Sequence, residues 1–566
     1  MASFWELSKL LVAQRIEHFI RMRYIILLLG TLLMGLQQVS AQNYFWIGFT
    51  DKNNSEYSLD NPELYLSERA IQRRFNQNIA IDSLDLPVNQ NYIDSVLTLD
   101  VELVHTSKWL NGITVRCDSA TLADSLGYWS FIREVQLTKP DLSTKSTFNK
   151  FADESSIDAA PIDTSLYGSS VYQVGLMEGQ LLHNENFRGQ GMQIAVLDAG
   201  FYKVDELPAF DSLWVNNQIL GTKDFVNPAV DFYATNYHGM SVLSCMGGNI
   251  PGELIGTAPK ASYWLLRSED NDSEYIVEED NWVAAAEFAD SVGVDIINSS
   301  LGYTEFQDAS TNHTYADMDG KTTRVTRGAN IAASRGILVF SSAGNERNNS
   351  WFRIVAPSDG TNVIGVGAVD MNFEPAYFSS AGPAVDGALK PNVSAMGYQT
   401  VLQRSNGTVG MANGTSFSSP VLAGMAASLW QAYSEKTAEE IKDALEKSGH
   451  LYSTPDSLQG YGVPNMREAT SLLNPLSVEV PSEYKTWIVF PNPVQDRIEL
   501  QATTSQQADN LDIKLYALDG RVVKSWQVPV SPTVTLNDLG TTEPGIFLLV
   551  LKTKNSIETF KINKIR

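Results

Sequence analysis

Cysteine is nearly missing from this chain: among 566 residues only Cys117 and Cys245 carry a thiol. Two cysteines provide no disulfide framework. They also fall in segments read below as different domains, which argues against a single bridge. Basic residues are in deficit, 41 Lys and Arg against 65 Asp and Glu, for a net charge of -24. Such a chain repels phosphates, which argues against nucleic acid as a partner. Past the N-terminus no stretch reaches the roughly 18 consecutive apolar residues of a membrane span. No loop shows the oxygen-ligand spacing of a calcium site. What is present is ordinary for soluble globular protein, 43% hydrophobic and 19% charged. The length predicts about three or four domains.

The N-terminus carries Arg21 and Arg23, the apolar run Tyr24 to Gly35, then Val39-Ser40-Ala41. That order predicts a secretory signal peptide over residues 1–41, cut after Ala41, with Met22 as an alternative start. The run is too short to prefer a permanent transmembrane anchor. Residues 42–140 read as a compact mixed domain, with strands at Tyr44–Phe49 and Ile113–Arg116 and a polar helix over Leu64–Phe75. Residues 141–170 are rich in Ser, Asp, Thr and Ala and lack periodicity, which predicts an exposed, cleavable linker.

From 171 to 475 buried apolar runs alternate with helical stretches. Gln193–Asp198, Tyr263–Leu266, Ile296-Ile297, Ile337–Phe340 and Val363–Val366 read as strands, and Val283–Ser291 and Ala329–Ser334 as helices. This alternation predicts a parallel sheet covered on both faces. Three stretches carry chemistry. Asn413-Gly414-Thr415-Ser416 is a small-residue turn before an apolar helix, so Ser416 stands where unpaired N–H groups favour negative charge. Pro420 is expected in the first turn, where a missing N–H costs nothing. Alone, this stretch is equally an ordinary capped helix. Asp198 ends a buried strand, where open α/β sheets place their ligands, and His238 opens a short helix of small residues. Asp, His, Ser is one of the chain orders in which convergent catalytic triads occur.

On AVLDAGF, YHGMSVLS and NGTSFSSP, together with Gly256–Ala261, Ser299–Gly302 and Val339–Asn345, the chain resembles the subtilisin-like serine proteases, peptidase family S8. The resemblance implies a three-layer α/β catalytic domain over 171–475 and a serine endopeptidase. Ser416 would be the nucleophile, His238 its base, Asp198 the residue orienting the imidazole, and Asn345 a donor to the oxyanion. Ser300, Leu301 and Gly302 would pair with a bound peptide. Met240 and Glu346 depart from the usual pattern, and effects on packing or specificity are expected from them. No cofactor is required for this chemistry, and structural calcium is a family expectation only. Residues 42–140 resemble the propeptide that inhibits such enzymes and helps them fold; an accessory domain is the alternative. Tyr303–Arg327 reads as a polar insertion that shapes the cleft or is merely solvated.

After a linker at 476–486, residues 487–566 predict a small β-sandwich, with strands at Ile513–Tyr516 and Gly545–Leu551 and a turn at Asp519-Gly520. Its FPNP opening, LYALDGRVV hairpin and basic tail resemble the C-terminal sorting domain of type IX secretion cargo; a generic binding sandwich is the alternative. The resemblance implies a secreted or cell-surface protein that crosses the periplasm and outer membrane of a Gram-negative bacterium. Its partners would be polypeptide substrates, its own propeptide and the secretion machinery. The competing reading is a binding protein that keeps this fold without turnover.

Overall fold

The computed structural model describes residues 42–141, 166–474, 487–502, 510–517, 521–553 and 557–565. The signal peptide, most of the 141–170 linker, the 476–486 linker and the Asp519-Gly520 turn lie outside these residues. The chain divides into two compact units, one ending at Leu473 and one beginning at Asn474. Among the described residues no helix is long and apolar enough to cross a membrane. Both cysteines are buried thiols outside any disulfide.

The first unit opens with an antiparallel sheet of β1 (Asn43–Phe49), β2 (Glu102–Ser107), β3 (Gly112–Cys117) and β4 (Ile132–Lys139), in the order β2-β3-β1-β4. Alternation along β1 serves two cores. Phe45, Ile47 and Phe49 pack with Ile113 and Val115, while Trp46 points into the core of the next layer. The helix expected from Leu64 begins instead at Glu68, because Ser67 Oγ accepts the Ala70 N–H at 3.2 Å and caps it there. Leu64 belongs to a separate 3-10 turn, Pro62–Leu64.

The large sheet follows, built from β5 (Gln193–Asp198), β6 (Ile219–Asp224), β9 (Ser262–Arg267), β10 (Ile296–Ser299), β11 (Leu338–Ser342), β12 (Ile364–Val369) and β13 (Val393–Met396). Two small pairs lie beside it, β7 (Asn249–Ile250) with β8 (Leu254–Ile255) and β14 (Thr400–Gln403) with β15 (Val409–Ala412). Its seven strands are all parallel, in the order β13-β12-β11-β10-β5-β9-β6. Every residue of β10 through β13 is buried, as continuous apolar runs require when helices cover both faces. The helices His238–Gly247 and Thr415–Ala432 share one core with the sheet. Val277–Val292 and Arg324–Ser334 share the other. After β5 the chain forms the edge strand β6 and returns to β9 beside β5, then crosses to β10 on the other side of β5 and builds outward through β11, β12 and β13, so a crevice opens at the C-terminal ends of β5 and β10. Tyr303, Phe306 and Met318 of the expected polar insertion are buried in the second core, and its last residues start the helix Arg324–Ser334. That segment is packed structure and not a solvated loop.

The N-terminal sheet docks on the outer face of the helix Val277–Val292, where Trp46, Trp109 and Leu110 join the second core. Charge is buried in this seam. Asp290 meets Arg73 at 2.5 Å, Arg74 at 2.9 Å and Lys108 at 2.9 Å, and Arg74 also meets Asp85 at 2.6 Å. Burial pushes the Asp290 carboxyl up, but Lys108, Arg73 and Arg74 together hold it well below the usual carboxylate range. Glu287 accepts Ser107 Oγ–H, Lys108 N–H and Trp109 N–H.

The second unit is all β. β16 (Trp487–Phe490), β17 (Ile498–Ala502) and β20 (Thr533–Leu536) form one sheet. β18 (Asn510–Ala517), β19 (Val522–Pro529), β21 (Gly545–Lys552) and β22 (Ile557–Lys564) form the other. Alternate residues Leu511, Ile513 and Leu515 of β18 pack with Trp487, Leu500 and Leu549 in the core between them.

Candidate active site

Three strand ends, of β5, β10 and β11, and two helix starts converge at the crevice. Asp198 is the last residue of β5 and fully buried, and its Oδ1 accepts the His238 Nδ1–H and the Ala199 N–H, each at 2.7 Å. Burial pushes the Asp198 carboxyl up from its ordinary value, while the imidazole and the Ala199 amide oppose that shift. His238 opens its helix, with its N–H donated to Asn236 Oδ1 at 2.7 Å. Gly239 must lack a side chain: a Cβ there would lie 2.5 Å from Gly200 O and 2.7 Å from Asp198 Cβ. Met240 is wholly buried in the first core, so it faces away from the groove.

Ser416 is the second residue of the helix Thr415–Ala432 and 9% exposed. The ring of Phe417, its neighbour, lies 6.0 Å from the His238 ring, which sets the serine turn against the imidazole. Ser416 Oγ makes a long contact, 3.5 Å, to Ser300 O, and its carbonyl accepts the Ser300 Oγ–H at 2.8 Å. Pro420 is in the second turn and not the first, so the amide hydrogen it lacks is one that would have met the Ser416 carbonyl. Ser300 supplies the replacement donor.

Asn345 follows β11 on an exposed turn, and its Oδ1 accepts both the Thr415 N–H at 2.9 Å and the Thr415 Oγ1–H at 3.0 Å. With the amide oxygen so held, the Nδ2 end is the one left to donate into the groove. Glu346, beside it, is engaged with Asn349 Nδ2. Of the expected peptide-pairing residues, Leu301 has its side chain in the second core and offers only its backbone. Gly302 is exposed, and a Cβ there would meet Val355 Cγ2 at 2.4 Å.

Some contributors were not foreseen. Asn298 donates its Nδ2–H to Ser300 Oγ at 3.2 Å and accepts the Ser419 Oγ–H at 2.8 Å, which anchors the serine helix to β10. Glu269, Glu274 and Glu278 are buried with carboxylate oxygens within 4.8 Å of one another, signalled in sequence only by the acidic run from Glu269 to Asp280. Three carboxylates are the donor chemistry of Ca²⁺. However, Glu269 already accepts the Tyr303 hydroxyl at 2.8 Å and Glu278 the Asp270 N–H at 3.3 Å.

Residues 189–462 match the family model described as the subtilase family, peptidase S8. Residues 44–153 match the peptidase S8 propeptide domain of Bacteroidota, and 488–564 the secretion system C-terminal sorting domain. Subtilisin E of Bacillus subtilis is 29% identical over 312 residues, 54% of this chain and 72% of its own length. Serine protease AprX of the same organism is 28% identical over 336 residues, 54% and 71% respectively. The thermostable alkaline protease of Halalkalibacterium halodurans is 26% identical over 337 residues, 59% and 82%. The protein is therefore a serine-type endopeptidase. Residues 189–462 are its peptidase S8 domain, with an S8 propeptide domain before it and a type IX sorting domain after it, and the protein is secreted or cell-surface.

Proposed function

We propose that this endopeptidase cuts extended polypeptides through an acyl-enzyme on Ser416. The observation that carries the reading is the buried 2.7 Å bond between His238 Nδ1 and Asp198 Oδ1 at the crevice where the Ser416 helix starts. A serine hydroxyl is a poor nucleophile at neutral pH and needs a base, and the far ring nitrogen of His238 takes its proton as Ser416 Oγ attacks the peptide carbonyl. Asp198 fixes the tautomer and stabilises the imidazolium. The developing oxyanion meets Asn345 Nδ2–H and the Ser416 N–H, the latter at the positive end of the helix dipole. His238 then protonates the leaving amine, and water repeats the sequence to free the acid. The exposed backbone around Gly302 pairs with the substrate, a mode that suits extended chains.

The N-terminal domain holds the enzyme as a zymogen until it is cut away, and the sorting domain directs export. No metal takes part in these steps. The test is casein hydrolysis by the secreted, processed protein beside Ser416→Ala, with fluorophosphonate labelling and intact masses. Digestion and labelling by the wild type alone support the assignment. A folded, processed wild type that does neither overturns it in favour of a binding protein.

A further inference from the structure

We propose that Asp270, Ser273 and Tyr275 form an ammonium-binding subsite of the substrate groove, one that selects a lysine or arginine on the acyl side of the cut bond. This rests on the protease reading above and names its substrate class. The site is occupied in the zymogen by a side chain of the protein itself. Lys139 closes β4, the last strand of the propeptide domain, and its Nζ lies 3.1 Å from Asp270 Oδ2 and 2.9 Å from Ser273 Oγ. The same ammonium stands 5.6 Å from the centroid of the Tyr275 ring and 5.8 Å from that of Tyr44, within cation–π range of both. The carboxylate is held independently of its guest: Asp270 Oδ2 accepts the Ser273 Oγ–H at 2.6 Å and Oδ1 the Asp272 N–H at 3.1 Å.

Its place in the fold ties it to the catalytic groove. The segment from Ser268 to Tyr275 leaves the end of β9, beside β5, and faces the chain that continues from Ser300. Tyr303 Oη–H donates to Glu269 at 2.8 Å and the Gln307 N–H to Glu274 O at 2.8 Å, which joins the two walls. Asp270 and Asp272 also line a cleft of about 600 Å³ together with Asn236 and Tyr237, the two residues before His238. Arg267, the cation of that cleft, is turned to Asp224 at 2.9 Å and Ala199 O at 3.1 Å. What it leaves facing the groove is acidic.

Covalent order supplies the direction. Lys139 precedes whichever bond is cut between the propeptide and the catalytic domain, so it lies on the acyl side of that bond. When the propeptide departs, Lys139 and Tyr44 leave with it. Asp270, Ser273 and Tyr275 stay, a preset carboxylate, hydroxyl and ring that a substrate cation refills. Lys139 is thus an anchor of the inhibitory domain and a template for what the mature enzyme prefers.

The expected gain is that of a partly exposed ion pair with one aromatic face, about three- to tenfold in kcat/KM. The full-length chain is expressed and processed, and the product digests a proteome-derived peptide library whose cut sites are read by mass spectrometry. One acyl-side position enriched in Lys and Arg is expected. Synthetic peptides that differ only by lysine or norleucine at that position then give a ratio of kcat/KM within one enzyme. That ratio falls to near one in Asp270→Asn if the subsite is right. An active wild type with no basic enrichment at any acyl-side position overturns the subsite alone, as does an unchanged ratio in Asp270→Asn. A processed wild type that neither cleaves nor takes up fluorophosphonate overturns the protease reading and the subsite with it.

Discussion

Gly239→Ala tests the geometry of the proposed triad without touching a reacting group. The new methyl would lie 2.5 Å from Gly200 O, 2.7 Å from Asp198 Cβ and 3.0 Å from Asp198 Cγ. None of these atoms is the end of a flexible side chain, so none can swing aside. The helix His238–Gly247 must therefore back away from β5, and ordinary contact distances require roughly 1 Å of movement, a misplacement that costs about a hundredfold in rate. The 2.7 Å bond from His238 to Asp198 is stretched by the same displacement toward the limit of hydrogen bonding. Overpacking removes a further ~1–3 kcal/mol of stability. The assay is kcat and KM on a peptide anilide, the rate of fluorophosphonate labelling and the thermal midpoint. Gly175→Ala serves as control, because a Cβ at 175 meets nothing within 4 Å. The expected result is a kcat about a hundredfold lower with KM within about twofold, slower labelling and a lower midpoint. Wild-type kcat in Gly239→Ala refutes the reasoning. So does a loss that disappears once rates are expressed per labelled site.

Asn345→Ala should lower kcat by about a hundred- to a thousandfold with little change in KM, measured by steady-state kinetics, because an oxyanion donor acts mainly in the transition state. Asp290→Asn leaves Arg73, Arg74 and Lys108 in a buried seam with their shared carboxylate gone, a change worth about 3–5 kcal/mol. The propeptide domain added in trans should then inhibit the mature variant at least about a hundredfold more weakly, which titration of residual activity measures. Asp280 gives a pH dependence. Burial pushes its carboxyl up to about 6 although Arg324 Nε lies 2.8 Å away. A carboxyl raised in the folded state keeps its proton there, so stability is lost as pH rises from the ordinary carboxylate value toward 6, by up to about 3 kcal/mol. Urea midpoints of the Ser416→Ala zymogen between pH 4 and 7 should show that loss, and Asp280→Asn should flatten it.

Strands buried on both faces were legible because such strands are written as unbroken apolar runs, as in Ile194–Leu197 and Val339-Phe340. The residues of the proposed triad were legible because each stands at an element end within two residues of glycine, and at two of these glycines a close approach of backbone leaves no room for a side chain: Gly200 to Asn236, Gly239 to Gly200. What could not be read was pairing across distance. Arg73 and Asp290 are separated by 217 positions, and nothing local to either marks the other. The helix start at Leu64 was misplaced because Ser67 caps three residues further on, and only the backbone turn distinguishes the two. Lys139 and Asp270 look in sequence like ordinary surface charges, since a subsite filled by the protein's own side chain leaves no composition signal.

Pro420 joins the local and the distant. A proline inside a helix leaves the carbonyl four residues earlier without its helical donor, and here that carbonyl belongs to Ser416. A buried carbonyl needs a partner, and Ser300, the residue after β10, supplies one at 2.8 Å. Ser300 is held in turn by Asn298, and Asn298 by Ser419, one residue before the proline. The exchange replaces a bond within the helix by a closed circuit between the helix and the strand end. The backbone of the proposed nucleophile and the proposed peptide-pairing segment are thereby fixed to each other, so on that reading a substrate aligned along Ser300–Gly302 is aligned on Ser416 by the same contacts.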